Sequence, residues 1–194
     1  MYDYISGNIT FKSATYIVVE AGGVGYQLNI SLQTYTRLKD EIRAKVFTHL
    51  AIKEDAHVLY GFADEEERTL FRHLISVSGV GPGTARVMLS SMTAVELHQS
   101  ITTGQVAAIK RIKGIGDKTA QRIVIDLKDK LGKSEISSTI IPSSYNTAKD
   151  EALSALLALG FNRSAAEKEL QKIIHQSSHT FTVEELIKAA LKNL

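Results

Sequence analysis

The chain has 194 residues, 44% of them hydrophobic, no cysteine and a formal net charge of +2. One to three small globular domains fit that length, disulfides and cysteine-based metal sites or nucleophiles are excluded, and no apolar run approaches the roughly 20 residues that cross a bilayer. The opening MYDYISGNIT lacks the basic-then-apolar pattern of a signal peptide, so the expectation is a cytoplasmic protein without membrane contact.

Residues 1–63 read as β structure. TYIVVE and GYQLNI are rich in β-branched and aromatic residues, and AGGVG between them supplies glycines that tolerate positive φ. AKVFTHLAI and AHVLYGF form a second pair around a turn at Lys53-Glu54-Asp55. Short strands at this spacing predict a small barrel or sandwich, with a short helix possible at LQTYTRL.

Residues 64–131 read as helical. Asp64 with Glu67, and Thr93 with Glu96, have the spacing of capping boxes and open helices. Breaks fall at Gly79-Val80-Gly81, near Thr103-Gly104 and at Gly114-Ile115-Gly116, so a helix–GxG–helix unit recurs 35 residues apart. Two copies make an internal duplication rather than a solenoid. Residues 132–146, GKSEISSTIIPSSYN, hold five serines and a proline with little periodicity and read as a flexible linker. In residues 147–194, Thr147 with Asp150 can start a helix that Gly160 ends, a second helix follows Asn162, and Thr182 with Glu185 starts a third. Three short helices predict a minimal bundle.

Charge separates these regions. Residues 1–67 hold 6 Lys and Arg against 10 Asp and Glu, residues 68–133 hold 11 against 4, and residues 134–194 hold 6 against 7. The basic third contains both glycine turns, which points to a polyanion there. A helix start offers unsatisfied N–H groups and a partial positive charge, and glycine just before it lets a phosphate oxygen reach the main chain. In the second copy Lys118 adds a point charge, while Ile115 packs inward and anchors the turn. Contacts of this kind fix position on a nucleic-acid backbone and read no base. A lone GxG would be a tight turn and nothing more; two copies in the basic third resemble the helix–hairpin–helix motif of duplex-binding proteins.

The order of parts, with GGVGY at 22–26, KEDAHVLYGF at 53–62, ERTLF at 67–71, GVGP at 79–82, GIGDKTAQR at 114–122 and ALLALGF at 155–161, resembles the RuvA family of Holliday junction-binding proteins over nearly the whole chain. The resemblance implies a multi-domain α+β protein: an oligonucleotide/oligosaccharide-binding barrel (1–63), a tandem helix–hairpin–helix domain (64–131), a linker (132–146) and a ubiquitin-associated-like three-helix bundle (147–194). It implies backbone contacts from Gly79, Val80, Gly81, Gly83, Thr84 and Arg86 at the first hairpin. At the second they come from Gly114, Ile115, Gly116, Lys118, Thr119 and Arg122. It makes Glu54 and Asp55 an acidic pin at the centre of a fourfold-symmetric tetramer, repelling phosphate and keeping exchanged strands apart. The implied partners are four-way junction DNA, the RuvB ATPase through the C-terminal bundle, RuvC nuclease, and a second tetramer. The setting is branch migration in recombination, DNA repair and the SOS response to DNA damage. No cofactor is implied for the chain itself, since ATP and Mg²⁺ serve the motor. Two positions depart from the family pattern, Gly83 and Asp117, where lysine is common; Arg86, one turn on, is a candidate replacement for the first.

The residues speak against other classes. Glu54 and Asp55 are too few for a metal nuclease, and the run Asp64 to Glu67 fits a helix start. No G-x-x-x-x-G-K-[ST] loop and no H-E-x-x-H spacing occurs, and no catalytic residue is assigned. A repair enzyme docked through the hairpins would cleave labelled junction with Mg²⁺ and no partner. A single-strand-binding barrel protein would prefer single strands in competition.

Overall fold

The computed structural model describes residues 2–135, 144–176 and 181–193 and divides into two compact units, Met1–Glu135 and Ile136–Leu194. The first unit opens with five strands: β1 (Tyr4–Lys12), β2 (Tyr16–Ala21), β3 (Val24–Ile30), β4 (Arg43–Ile52) and β5 (His57–Phe62). They close a barrel in the order β1-β2-β3-β5-β4. Helix α1 (Leu32–Leu38) lies between β3 and β4, and closure comes from the parallel pairing of Asn29 with Tyr60 and Ile30 with Gly61.

Local chemistry accounts for this shape. Gly22 and Gly23, at φ +60° and +78°, form the two-residue turn that joins Ala21 to its partner Val24. Positive φ at both central residues matches the twist of a tight hairpin. At Gly7 a Cβ would fall 1.9 Å from Glu20 O, so only glycine lets β1 cross β2 closely enough to pair with β4 on its other side. Ile5, Ile17, Val19, Leu28, Ile30 and Val46 fill the interior.

Helices α2 (Glu65–Ile75), α3 (Pro82–Ser91), α4 (Ala94–Thr102), α5 (Val106–Lys110) and α6 (Asp117–Glu135) complete the first unit. Their core runs from Leu70, Phe71 and Leu74 through Met88, Leu97 and Ile109 to Ile123 and Leu127, and takes in Phe62 from the end of the barrel. The expected break at Thr103-Gly104 is present, with Gly104 at φ +75°. The capping box at Thr93 is complete in both directions. At Asp64 it is not. Asp64 Oδ1 accepts from Glu67 N at 2.7 Å, but the Glu67 side chain turns into the protein.

There Glu67 joins barrel to helices. Ser31 Oγ donates to its Oε1, and Thr34 Oγ1 donates to its Oε2 at 2.6 Å. Each hydroxyl also accepts a main-chain N–H, Thr34 N at 3.0 Å and Ala63 N at 3.1 Å respectively. Burial pushes the Glu67 carboxyl above its usual value, and the two hydroxyl donors pull the other way. Arg68 beside it has a side chain only 3% exposed, paired with Asp3 and Glu65 at 2.6 Å each.

The second unit holds α7 (Ser144–Ala158), α8 (Arg163–Gln176) and α9 (Val183–Ala190), packed around Ala152, Leu156, Ala166, Leu170 and Leu186. Gly160 stands at φ +94° after α7, and Thr182 with Glu185 forms a full capping box. Leu159 and Leu191 are 61% and 44% exposed. Helix α6 continues to Glu135 and α7 begins at Ser144, so both run into the stretch expected to be linker; its residues 136–143 lie outside the described residues.

Candidate nucleic-acid interface

The two glycine turns are built alike. At the first, Val77 N donates to Leu74 O at 3.1 Å, Val80 N to Val77 O at 3.0 Å, and Ala85 N to Gly81 O at 2.9 Å. At the second, Ile112 N donates to Ile109 O at 3.1 Å, Ile115 N to Ile112 O at 3.1 Å, and Ala120 N to Gly116 O at 2.9 Å. Every bond recurs 35 residues later. The middle residues of the two GxG turns, Val80 and Ile115, are 4% and 6% exposed, so each turn is pinned from inside by an aliphatic side chain.

With that side chain inward, the main chain on either side faces out. The ladder of α3 begins at Ala85 N, Pro82 has no N–H, and the N–H groups of Gly83 and Thr84 precede the first rung. In α6 the ladder begins at Ala120 N, leaving those of Asp117, Lys118 and Thr119. Gly79 and Gly114 need glycine for their φ of +91° and +90°. Gly81 does not: φ −83° and ψ 167° suit any residue. Ser31, Thr93 and Thr182 cap their helices from nearly the same backbone conformation, each with a hydroxyl accepting a main-chain N–H. Gly81 forgoes that bond, and a Cβ on Gly81, Gly83 or Gly116 would meet nothing within 4 Å. Nothing among the described residues explains why these positions are bare. Glycine there leaves the main chain open to close approach from outside.

The charged residues expected at the hairpins fall in different places. Lys118 is exposed in the first turn of α6. Arg122, one turn on, is exposed and donates to Ser78 O of the first hairpin at 3.4 Å, which sets the two hairpins side by side. Arg86 turns the other way: its guanidinium donates to Thr15 O at 3.1 Å and Asn29 Oδ1 at 3.3 Å. It therefore ties α3 to the barrel and does not replace a cation missing at Gly83. A one-turn spacing cannot tell these two directions apart. Asp117 is paired with Lys110 Nζ at 2.7 Å. The motifs do not single out Lys110, although a basic residue seven positions before an acidic one brackets the turn. Glu54 and Asp55 are exposed at the β4–β5 tip, closed by Lys53 N to Ala56 O at 2.9 Å. Among the described residues no three His, Asp or Glu side chains converge as a metal site, and no helix is long and apolar enough to cross a membrane.

A five-stranded barrel joined to paired hairpins, each presenting open main-chain donors in a basic region, defines a helix–hairpin–helix protein of the kind that grips a nucleic-acid backbone. Family models match in three consecutive blocks: the RuvA N terminal domain over residues 1–61, a SAM-like helix-hairpin-helix tandem over 71–129 and the RuvA C-terminal domain over 147–194. Full-length relatives agree. The proteins of Flavobacterium psychrophilum and Christiangramia forsetii are 50% and 49% identical over 194 residues, covering all of both chains. That of Cytophaga hutchinsonii is 48% identical over 197 residues, covering 99% of each. All three are named Holliday junction branch migration complex subunit RuvA. The chain belongs to the RuvA family.

Proposed function

We propose that this chain binds four-way DNA junctions as the recognition subunit of a branch-migration complex and brings the RuvB motor to them. The observation that carries this is the pair of equivalent hairpins, whose bare glycines have no use among the described residues of the chain itself. Four copies arranged around one junction would present eight such corners to its four arms, and the exposed Glu54–Asp55 tips would meet at the crossover. Carboxylates beside phosphates cost free energy, so those tips disfavour a continuous duplex through the centre and admit separated strands. The C-terminal bundle, with Leu159 and Leu191 exposed, is the part that engages the motor; tethering raises the motor's local concentration at the junction. RuvC binding and a second tetramer belong to the same reading. ATP and Mg²⁺ are used by the motor.

A gel-shift competition between a four-way junction and linear duplex of equal length tests the proposal. Expected is a strong preference for the junction and an affinity that falls steeply with salt. Equal affinity for both would overturn it.

A further inference from the structure

The two hairpins share their core and differ in their charge. Leu74, Val77, Val80, Ala85 and Met88 are buried at the first, and Ile109, Ile112, Ile115, Ala120 and Ile123 are buried at the corresponding positions of the second. The exposed cations are not repeated. Lys110, Arg111, Lys113, Lys118 and Arg122 are all exposed around the second hairpin; 35 positions earlier stand Ile75, Ser76, Ser78, Gly83 and Val87. The single carboxylate of the second hairpin, Asp117, corresponds to Pro82 and is held by Lys110.

The first hairpin's own neighbours do not restore the balance. Arg86 is spent on Thr15 and Asn29 of the barrel, and Arg72 of α2 lies near His49 of the barrel, whose pKa is lowered first by burial and then by the Arg72 charge. Of its own residues the first hairpin offers Ser76, Ser78 and three glycines to the outside, and a cation beside it, Arg122 on Ser78 O, comes from α6.

We infer that the hairpins divide the binding of the sugar–phosphate backbone. The second holds it ionically, with Arg111 and Lys113 as phosphate contacts beside Lys118; the first, with no exposed cation of its own, touches it through main-chain donors, and Arg122, bonded to Ser78 O, stands between the two. Cation contacts act at long range and release counterions when they form. Main-chain N–H contacts are short-ranged and release none. As DNA is drawn past, a phosphate leaves the first hairpin and the next arrives without any exchange of counterions, whereas each step past the second breaks and remakes ion pairs. This inference rests on the proposed junction binding.

The experiment measures junction affinity of the full chain by fluorescence anisotropy from 50 to 300 mM salt, about the range over which phosphate contacts dominate. Lys113→Ala/Lys118→Ala is expected to weaken binding at low salt at least tenfold and to flatten the log–log salt slope by about 0.9 for each lysine–phosphate pairing abolished. Gly81→Ala is expected to weaken binding with the slope unchanged. Gly83→Lys, which adds a cation where there is room for one, is expected to steepen the slope by about one. A slope unmoved by the lysine substitutions, or flattened by Gly81→Ala, would overturn the division. If wild type itself showed no junction preference, the failure would lie with the function proposed above; a junction-selective wild type with slopes contrary to these would refute the division alone.

Discussion

Gly79 and Gly114 stand 35 residues apart at φ +91° and +90°, and a Cβ on either would meet no atom within 4 Å. Their requirement for glycine is therefore backbone strain alone. Gly116, two residues on, has equal space and no positive φ. Alanine substitutions separate these two causes. Gly114→Ala is expected to lower stability by about 1–2 kcal/mol in urea denaturation, the cost of a Cβ in the left-handed region. Gly116→Ala is expected to change stability by less than about 0.5 kcal/mol while weakening junction binding. Equal destabilisation by the two would mean that Gly116 is bare for the fold and not for DNA.

At Gly81 the same reasoning leads to a gain of stability. It occupies the cap of α3 with extended backbone and no side-chain bond, while Thr93 and Thr182 cap other helices from the same geometry with their hydroxyls. Gly81→Ser supplies the missing acceptor. The variant is expected to be more stable by a few tenths of a kcal/mol and to bind junction DNA less tightly. Thermal melting and anisotropy on the same preparation read both. Unchanged DNA affinity would show that the cap does not touch DNA.

Much of this was legible in the residues. The duplicated GxG, the Gly22-Gly23 turn and two of the capping boxes follow from rules about glycine and hydroxyl side chains that act within four residues. What could not be read acts across the fold. Strand β1 has a faint pattern because one of its inward positions is Gly7, chosen for contact with Glu20 O on a different strand. Arg86 sits where a helix start would suit a phosphate-binding cation, but its partners are 71 and 57 residues away. Glu67 has the spacing of a cap, yet its carboxylate is claimed by Ser31 and Thr34, 36 and 33 residues before it. In each case a tertiary partner outcompetes the local one, and local spacing holds no trace of it.

The Glu67 contact has a pH signature. Burial, the largest influence, raises its pKa above the ordinary glutamate value of 4.5, with Ser31 and Thr34 opposing. The folded chain then holds this proton more strongly than the unfolded chain. Its stabilising contribution is complete below the unfolded pKa and is lost as pH rises through the folded pKa. Glu67→Gln removes the titration but leaves one hydroxyl to find a new geometry, a pH-independent cost of about 1 kcal/mol. Measured against wild type in urea, the variant is expected to gain relative stability as pH rises from 4.5 toward neutrality. A difference that stays constant with pH would mean the carboxyl titrates alike in both states.

The β4–β5 tip is where selectivity, as distinct from affinity, should reside. Glu54 and Asp55 are exposed, and the turn that carries them is closed by main-chain bonding between Lys53 and Ala56, so their replacement leaves the barrel intact. Glu54→Lys/Asp55→Lys reverses the charge that, on the proposed function, meets phosphates at the centre of the junction complex. On the proposed function, repulsion that excludes a continuous duplex becomes attraction, while the hairpins, which are remote in sequence and unchanged, keep their contacts with each arm. The expected result is junction affinity equal to or above wild type, duplex affinity raised by roughly tenfold or more, since each charge pair is worth up to about 1 kcal/mol near the surface, and a collapsed ratio between them. Loss of junction binding together with duplex binding would instead make the tip a direct contact, and its carboxylates acceptors of hydrogen bonds from the bases of separated strands.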